Sequence, residues 1–131
     1  MIASELTLLV LRSKDVHASR RFYAALGIEF VSEKHGSGPE HFAGKIGDTV
    51  LEIYPADQAA EPSNVRLGFS IHSLRVAMDL VADAGGRLLS EPKTTSWGVR
   101  AVVEDPDGNK IELVEKAQQA VAADRPKTGA G

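Results

Sequence analysis

Cysteine is absent from the 131-residue sequence. A chain without thiols forms no disulfide, thiolate metal site or iron–sulfur cluster, and it has no cysteine nucleophile. Residues 1–7 also lack the basic region and following apolar run of a secretion signal. Nothing in these features supports an oxidising compartment, and we expect a cytoplasmic protein.

Long apolar runs and concentrated basic charge are missing as well. No segment approaches the roughly 20 consecutive apolar residues of a membrane span. The formal net charge is −3 and its signs are interspersed, with Arg20-Arg21 as a basic doublet. We therefore expect neither membrane insertion nor nucleic-acid binding. The hydrophobic share of 43% and charged share of 25% are typical of a globular domain.

The sequence repeats one plan of predicted elements. Residues 6–55 and 65–115 each predict a strand, a helix and three further strands, with residues 56–64 as a linker. Asp15 and Ser73 are placed to cap the two helices, and Gly27 and Gly85 are placed to end them. This pattern predicts an α+β protein of two tandem βαβββ modules in a single domain, residues 1–116, followed by a C-terminal tail at residues 117–131.

The strands are predicted from apolar, partly β-branched runs and from tight turns at Gly47-Asp48 and Asp107-Gly108. In the first module they cover residues 6–12, 28–34, 41–46 and 49–54. In the second they cover residues 66–71, 87–92, 99–104 and 110–114.

Glu52 and Glu112 occupy equivalent places in the last predicted strand of each module. Strand alternation puts Leu51 and Ile53 on the helix-packed face and Glu52 on the opposite face, and Glu112 repeats the pattern. Each glutamate could simply lie on the solvated face of a sheet. Alternatively, two twisted sheets could curl into a cup in which the carboxylates share a cavity.

Two motifs and the doubled plan carry a resemblance to a known family. The motifs are Asp105-Pro-Asp-Gly-Asn-Lys-Ile-Glu-Leu113 and Phe22-Tyr-Ala-Ala-Leu-Gly27. With the repeated βαβββ plan, they resemble the vicinal-oxygen-chelate superfamily of glyoxalases, bleomycin-resistance proteins and extradiol dioxygenases. The resemblance implies a glyoxalase-like fold, in which a curled mixed-sheet cup with helices outside holds a small molecule. It also implies a homodimer.

The resemblance further implies how a metal would be held. Each module of a glyoxalase-like metal site gives one ligand from its first strand and one glutamate from its last strand. Glu52 and Glu112 match the glutamates, but the first-strand positions fall on Leu8 and Arg66, which offer no lone pair to a metal. We therefore expect no cofactor, and a divalent metal, if one binds, would depend on Glu52 and Glu112.

Three functional hypotheses remain open, and the sequence leaves undecided whether the protein is an enzyme. In the first, the cup binds a small organic molecule around a degenerate metal site; a reaction there would be that of a glyoxalase-like lyase or isomerase with Glu52 or Glu112 as base. In the second, the protein is a metal-dependent lyase, isomerase or dioxygenase whose missing donors come from His41, His72, Tyr54 or a bound ligand. In the third, the protein is a non-catalytic module whose own side chains fill the cup and whose sheets serve assembly or regulation. Predicted ligand-contacting residues are Leu8, Arg66, His41, Tyr54, Trp97 and Arg100.

Overall fold

The computed structural model describes residues 2–58 and 60–117, which form eight strands and two helices. The first module contains β1 (Leu8–Ser13), α1 (Val16–Ala24), β2 (Phe30–Glu33), β3 (His41–Ile46) and β4 (Thr49–Pro55). The second contains β5 (Leu67–Ile71), α2 (Leu74–Asp83), β6 (Arg87–Thr95), β7 (Gly98–Glu104) and β8 (Lys110–Lys116). The predicted order of elements is confirmed. Apart from residue 117, the predicted C-terminal tail lies outside the described residues.

Each module folds into its own four-stranded mixed sheet. The strand orders are β1-β4-β3-β2 and β5-β8-β7-β6. In both sheets the first strand pairs in parallel with the last, and the remaining pairs are antiparallel. The identical topology confirms the α+β fold of two βαβββ modules.

Local signals start and stop the helices as the sequence predicts. The Asp15 carboxylate accepts hydrogen bonds from the backbone N–H groups of His17 and Ala18, both at 3.1 Å. Ser73 caps α2 by accepting from a backbone N–H at 3.3 Å. Gly27 follows α1 with φ of 98°, a conformation that costs glycine least. Neither helix of the described residues is long and apolar enough to cross a membrane.

The hydrophobic core lies between the sheets and the helices that cover them. Leu51 and Ile53 of β4, and Ile111 and Leu113 of β8, are fully buried. Burying one such side chain contributes about 1.5–3 kcal/mol. Because side chains alternate along a strand, the intervening residues point to the opposite face of each sheet. We call these two surfaces the helix-free faces, and both glutamates lie on them.

A buried tyrosine joins the two modules. The Tyr23 hydroxyl in α1 donates to Oδ2 of Asp105, directly after β7, at 2.6 Å. Burial, reinforced by the neighbouring negative charge of Asp105, raises the pKa of Tyr23 well above its ordinary value. The phenol therefore remains a neutral hydrogen-bond donor.

The main departure from the predicted strands is β6. The sequence ends this strand at residue 92, whereas the structure continues it to Thr95. The pairing of β6 with β7 shifts register twice between Leu88 and Lys93. Because β6 is an edge strand, it accommodates Pro92, which lacks the N–H that a central strand would need.

Candidate functional site

A row of polar and aromatic side chains crosses the helix-free face of the first sheet. Arg12 of β1 lies opposite Tyr54 of β4, and His41 of β3 lies opposite Glu33 of β2. The Arg12 guanidinium carbon is 5.3 Å from the centre of the Tyr54 ring. The Tyr54 and His41 rings stack, with centres 4.0 Å apart and planes within 11°. We call Arg12, Tyr54, His41 and Glu33 the cross-strand row.

His41 is the best-enclosed member of this row, at 1% exposed. Its Nδ1 lies 3.2 Å from the carbonyl oxygen of Pro39. Its Nε2 has no hydrogen-bond partner among the described residues. That nitrogen is 3.4 Å from Oε1 of Glu33 and 3.9 Å from Oε2 of Glu52. Two carboxylates therefore converge on one buried imidazole nitrogen.

His35 adds a second imidazole to this cluster. It lies in the loop between β2 and β3, and its Nε2 is 3.4 Å from the same Glu33 oxygen. The rings of His35 and His41 are 5.2 Å apart at their centres. The donor atoms of Glu33, His35 and His41 all lie within 4.8 Å of one another.

Exposed apolar side chains border the cluster. Leu8 is 50% exposed, Val10 38% and Val31 60%. Val10 lies opposite Glu52 in the sheet register, and Val31 lies opposite Ala43, which is itself opposite Glu52. This part of the helix-free face therefore combines an apolar surface with a polar cluster.

Glu112 lies in a different environment on the second sheet. Nη2 of Arg100 is 2.9 Å from Oε1 of Glu112, and both side chains are partly exposed. Arg66, which the sequence places beside the glutamates, is exposed just before β5 and forms no ion pair with the described residues. Arg100, on the strand next to Glu112, is the arginine that pairs with this carboxylate.

The predicted site residues fall into separate groups. His41, Tyr54 and Glu52 come together on the first sheet, and Arg100 joins Glu112 on the second. Trp97 lies in the turn between β6 and β7 and is 61% exposed. A surface cleft of about 700 Å³ lies at the Arg12 end of the cross-strand row, and neither Glu52 nor Glu112 lines it.

Sequence reasoning did not predict that Arg12 and Glu33 belong to the cross-strand row, or that His35 lies beside it. A signal for two of them was present, because Glu33 ends β2, His35 lies in the loop that follows it, and His41 begins β3. An antiparallel hairpin would bring the end of one strand against the start of the next. The exact register depends on loop geometry, which the sequence pattern does not fix.

Comparison with known proteins gives a consistent picture. Residues 6–113 match the family described as the Glyoxalase/Bleomycin resistance protein/Dioxygenase superfamily. A protein of Synechocystis sp. named "Probable lactoylglutathione lyase" is 28% identical over 124 residues, covering 84% of this chain and 94% of the relative.

Solved structures share the fold. A glyoxalase-related enzyme from Fulvimarina pelagi has a TM-score of 0.72 at 23% identity, covering 87% of this chain and 89% of that one. TnmS3, an antibiotic binding protein from Streptomyces sp. CB03234, has a TM-score of 0.69 at 24% identity, with 89% and 99% covered.

Proposed function

The chain belongs to the glyoxalase/bleomycin resistance protein/dioxygenase superfamily, and from that premise we propose that it binds a small organic molecule on its helix-free faces. The observation that carries the proposal is the cross-strand row beside exposed Leu8, Val10 and Val31. Apolar groups that stay exposed next to convergent polar groups are typical of surfaces that a ligand or partner covers.

The chemistry of the row favours a ligand with an aromatic or apolar body and an oxygen anion. The stacked rings of Tyr54 and His41 offer an aromatic surface. Arg12 provides a cation at the edge of that surface, and a guanidinium pairs well with a carboxylate. On the second module, Arg100, which is paired with Glu112, and exposed Arg66 are further cations, and Trp97 offers an exposed ring.

The metal position that the family implies does not suit the residues present. Leu8 has no donor atom, Arg66 is a cation, and the Glu112 carboxylate is already paired with Arg100 at 2.9 Å. We propose that this inter-module metal site is degenerate, and no reaction step here depends on it.

The two glutamates differ in the side chains that contact them. Glu112 is paired with Arg100 at 2.9 Å. Within the described residues, Glu52 has a longer contact of 3.9 Å with His41 and no ion pair with an arginine, so it is the glutamate that we propose as the base. If the protein is an enzyme, Glu52 would abstract a proton next to a ligand carbonyl, as a glyoxalase-like lyase or isomerase requires.

The alternative of a metal-dependent lyase draws on the relative named "Probable lactoylglutathione lyase". The fold alone does not choose between catalysis and binding, since its solved relatives include a glyoxalase-related enzyme and an antibiotic binding protein. The distinguishing variant is Glu52→Gln. If the protein is an enzyme, the wild type turns over its ligand and the variant keeps the affinity but loses this turnover. A binding protein shows no turnover in either form and the same ligand affinity in both.

The ligand is best sought with a thermal-shift screen of aromatic carboxylates, phenols and 2-oxoacids, followed by calorimetry with the best compound. We expect Tyr54→Ala and Arg12→Gln each to weaken binding about tenfold, equivalent to about 1.4 kcal/mol. Arg75→Gln, on the exposed surface of α2, is the matched control and should bind as the wild type does. A ligand whose affinity ignores both changes in the row would contradict the proposed site.

We also propose that the protein is a cytoplasmic homodimer whose second copy covers part of the helix-free face. The open edges of both sheets and the exposed apolar border support this. Light scattering should give twice the chain mass, and Val31→Lys should shift it to the monomer. Val76→Lys, at an exposed position of α2, is the control. A wild-type monomer at micromolar concentration would refute the dimer.

A further inference from the structure

We propose that Glu33, His35 and His41 bind one divalent transition-metal ion of the zinc type, at the end of the β2–β3 hairpin. We call this group the hairpin site. It lies within the first module and uses neither Leu8 nor Arg66, the first-strand positions implied by the family resemblance. Its occupation does not require the organic ligand proposed above.

The buried ring of His41 is oriented as a metal ligand would be. Its Nδ1 is hydrogen-bonded to the carbonyl of Pro39, which fixes the proton on that nitrogen and leaves the lone pair on Nε2. Nε2 is buried and without a hydrogen-bond partner among the described residues. A histidine that uses one ring nitrogen to bond a backbone carbonyl commonly presents the other to a metal.

Two of the three donor-atom separations agree with a tetrahedral ion, and the third, between His35 and His41, is within 4.8 Å. Ligands about 2.0–2.1 Å from zinc are separated by about 3.4 Å in tetrahedral geometry. Oε1 of Glu33 is 3.4 Å from Nε2 of His41 and 3.4 Å from Nε2 of His35. The loop that carries His35 contains Gly36 in a left-handed conformation, and the His35 side chain is 71% exposed. His35 can therefore complete the site with a small side-chain movement.

The surrounding charges favour a cation at this point. The lone pair on Nε2 of His41 faces the carboxylates of Glu33 at 3.4 Å and Glu52 at 3.9 Å. These electron-rich groups repel one another unless a positive charge lies between them. A proton on Nε2 of His41 would also supply a positive charge, but it would interact with only one of the two imidazoles around Glu33. An ion is bonded by both rings, and Glu52 or a water molecule occupies its fourth position.

The donor set also selects the class of metal. Two imidazoles and a carboxylate, in a chain without cysteine, suit Zn²⁺, Co²⁺ or Ni²⁺. Mg²⁺ and Ca²⁺ prefer sites composed of oxygen ligands. The hairpin site should therefore discriminate against the hard cations.

The test uses the untagged full chain, stripped with a chelator and titrated calorimetrically with Zn²⁺ and, separately, with Mg²⁺. We expect one Zn²⁺ per chain with micromolar or tighter affinity, and no measurable Mg²⁺ binding. With Co²⁺, the intense visible bands of a tetrahedral complex should appear. His35→Ala and Glu33→Gln should each weaken Zn²⁺ binding by about tenfold or more. His72→Ala, which removes an exposed histidine outside the cluster, should leave it unchanged.

Three results would overturn the hairpin site. One is the absence of Zn²⁺ binding at micromolar concentration by folded wild-type protein. Another is an equal loss of affinity in the His35→Ala and His72→Ala variants, which would indicate scattered surface binding. The third is a His41 ring whose nitrogen chemical shifts do not change when Zn²⁺ is added, since Nε2 would then not be a ligand. Because these titrations contain no organic ligand, none of the three results bears on the proposed ligand site. That site is tested separately by the thermal-shift screen and by calorimetry with the organic compound.

Discussion

Replacing Tyr23 with phenylalanine tests the contact that joins the two modules. The change removes one hydroxyl and keeps the ring, which packs edge-on against Phe22 with centres 4.8 Å apart. The lost hydrogen bond is 2.6 Å long, buried, and directed to the side chain of Asp105. Core packing is therefore largely retained while the link from α1 to the second module is cut.

The size of the loss in stability depends on the hydrogen bonds that Asp105 still accepts in the variant. A hydrogen bond to a charged group contributes about 1.5–3 kcal/mol to folding. Asp105 still accepts from the backbone N–H groups of Asp107 and Asn109 and from the Asn109 amide, each at 2.9 Å. Because the carboxylate is not left unpaired, we expect a loss near the lower end, about 2 kcal/mol. This lowers the melting temperature by about 6–8 °C for a domain of this size.

Urea unfolding with linear extrapolation is the assay, and Tyr54→Phe is the matched control. The Tyr54 hydroxyl makes no hydrogen bond within the described residues, so its removal should change the free energy of unfolding by less than about 0.5 kcal/mol. A loss of stability in Tyr23→Phe no larger than that in the control would refute the assignment of Tyr23 as the link between modules.

The pH dependence of stability is a second test of the buried Tyr23 hydroxyl. Because the folded protein raises the pKa of Tyr23, the resulting stabilisation is fully present below the unfolded pKa of 10.0. Above that pH the unfolded chain releases a proton that the folded protein keeps, so stability falls by up to about 1.4 kcal/mol per pH unit. The advantage of the wild type over Tyr23→Phe should therefore shrink between pH 10 and 11. An unchanged difference over this interval would contradict the burial of a neutral phenol.

Three further changes test other parts of the structure. Asp15→Ala removes both capping bonds of α1 and should cost about 1 kcal/mol in urea unfolding; a wild-type midpoint would argue against the cap. Gly86→Ala places a methyl group against the side chain of Val81, closer than van der Waals contact allows, and should cost about 1–3 kcal/mol, seen as a lower melting temperature; an unchanged melting temperature would contradict that packing. Arg100→Gln breaks the partly exposed pair with Glu112 and should cost no more than about 1 kcal/mol, an effect that 1 M salt should largely abolish in the wild type.

Much of the fold could be predicted because its signals are local. Alternation in β4 and β8 assigned Leu51 and Ile53, and their counterparts, to the core, and put each glutamate on the opposite face. Both helix caps were predicted from single residues with the right side chain. The repeat of these signals was sufficient to predict two modules, since each module obeys the same short-range rules.

The site was less predictable because it depends on pairing between strands. The sequence placed Arg66 near the glutamates, but the register of β7 against β8 gives that position to Arg100. The sequence identified His41 without its neighbours, since Glu33 and His35 reach it only through the β2–β3 register.

By itself, then, the sequence determined the two βαβββ modules and the placing of both glutamates opposite the helix-packed faces, because hydrophobic period, caps and turns act over a few residues. Tertiary structure decided which carboxylate pairs with an arginine, which imidazole is buried and which charges meet. The physical reason is that strand register and the packing of α1 on the second module are non-local, and a shift of one residue would move every side chain of a strand to the other face.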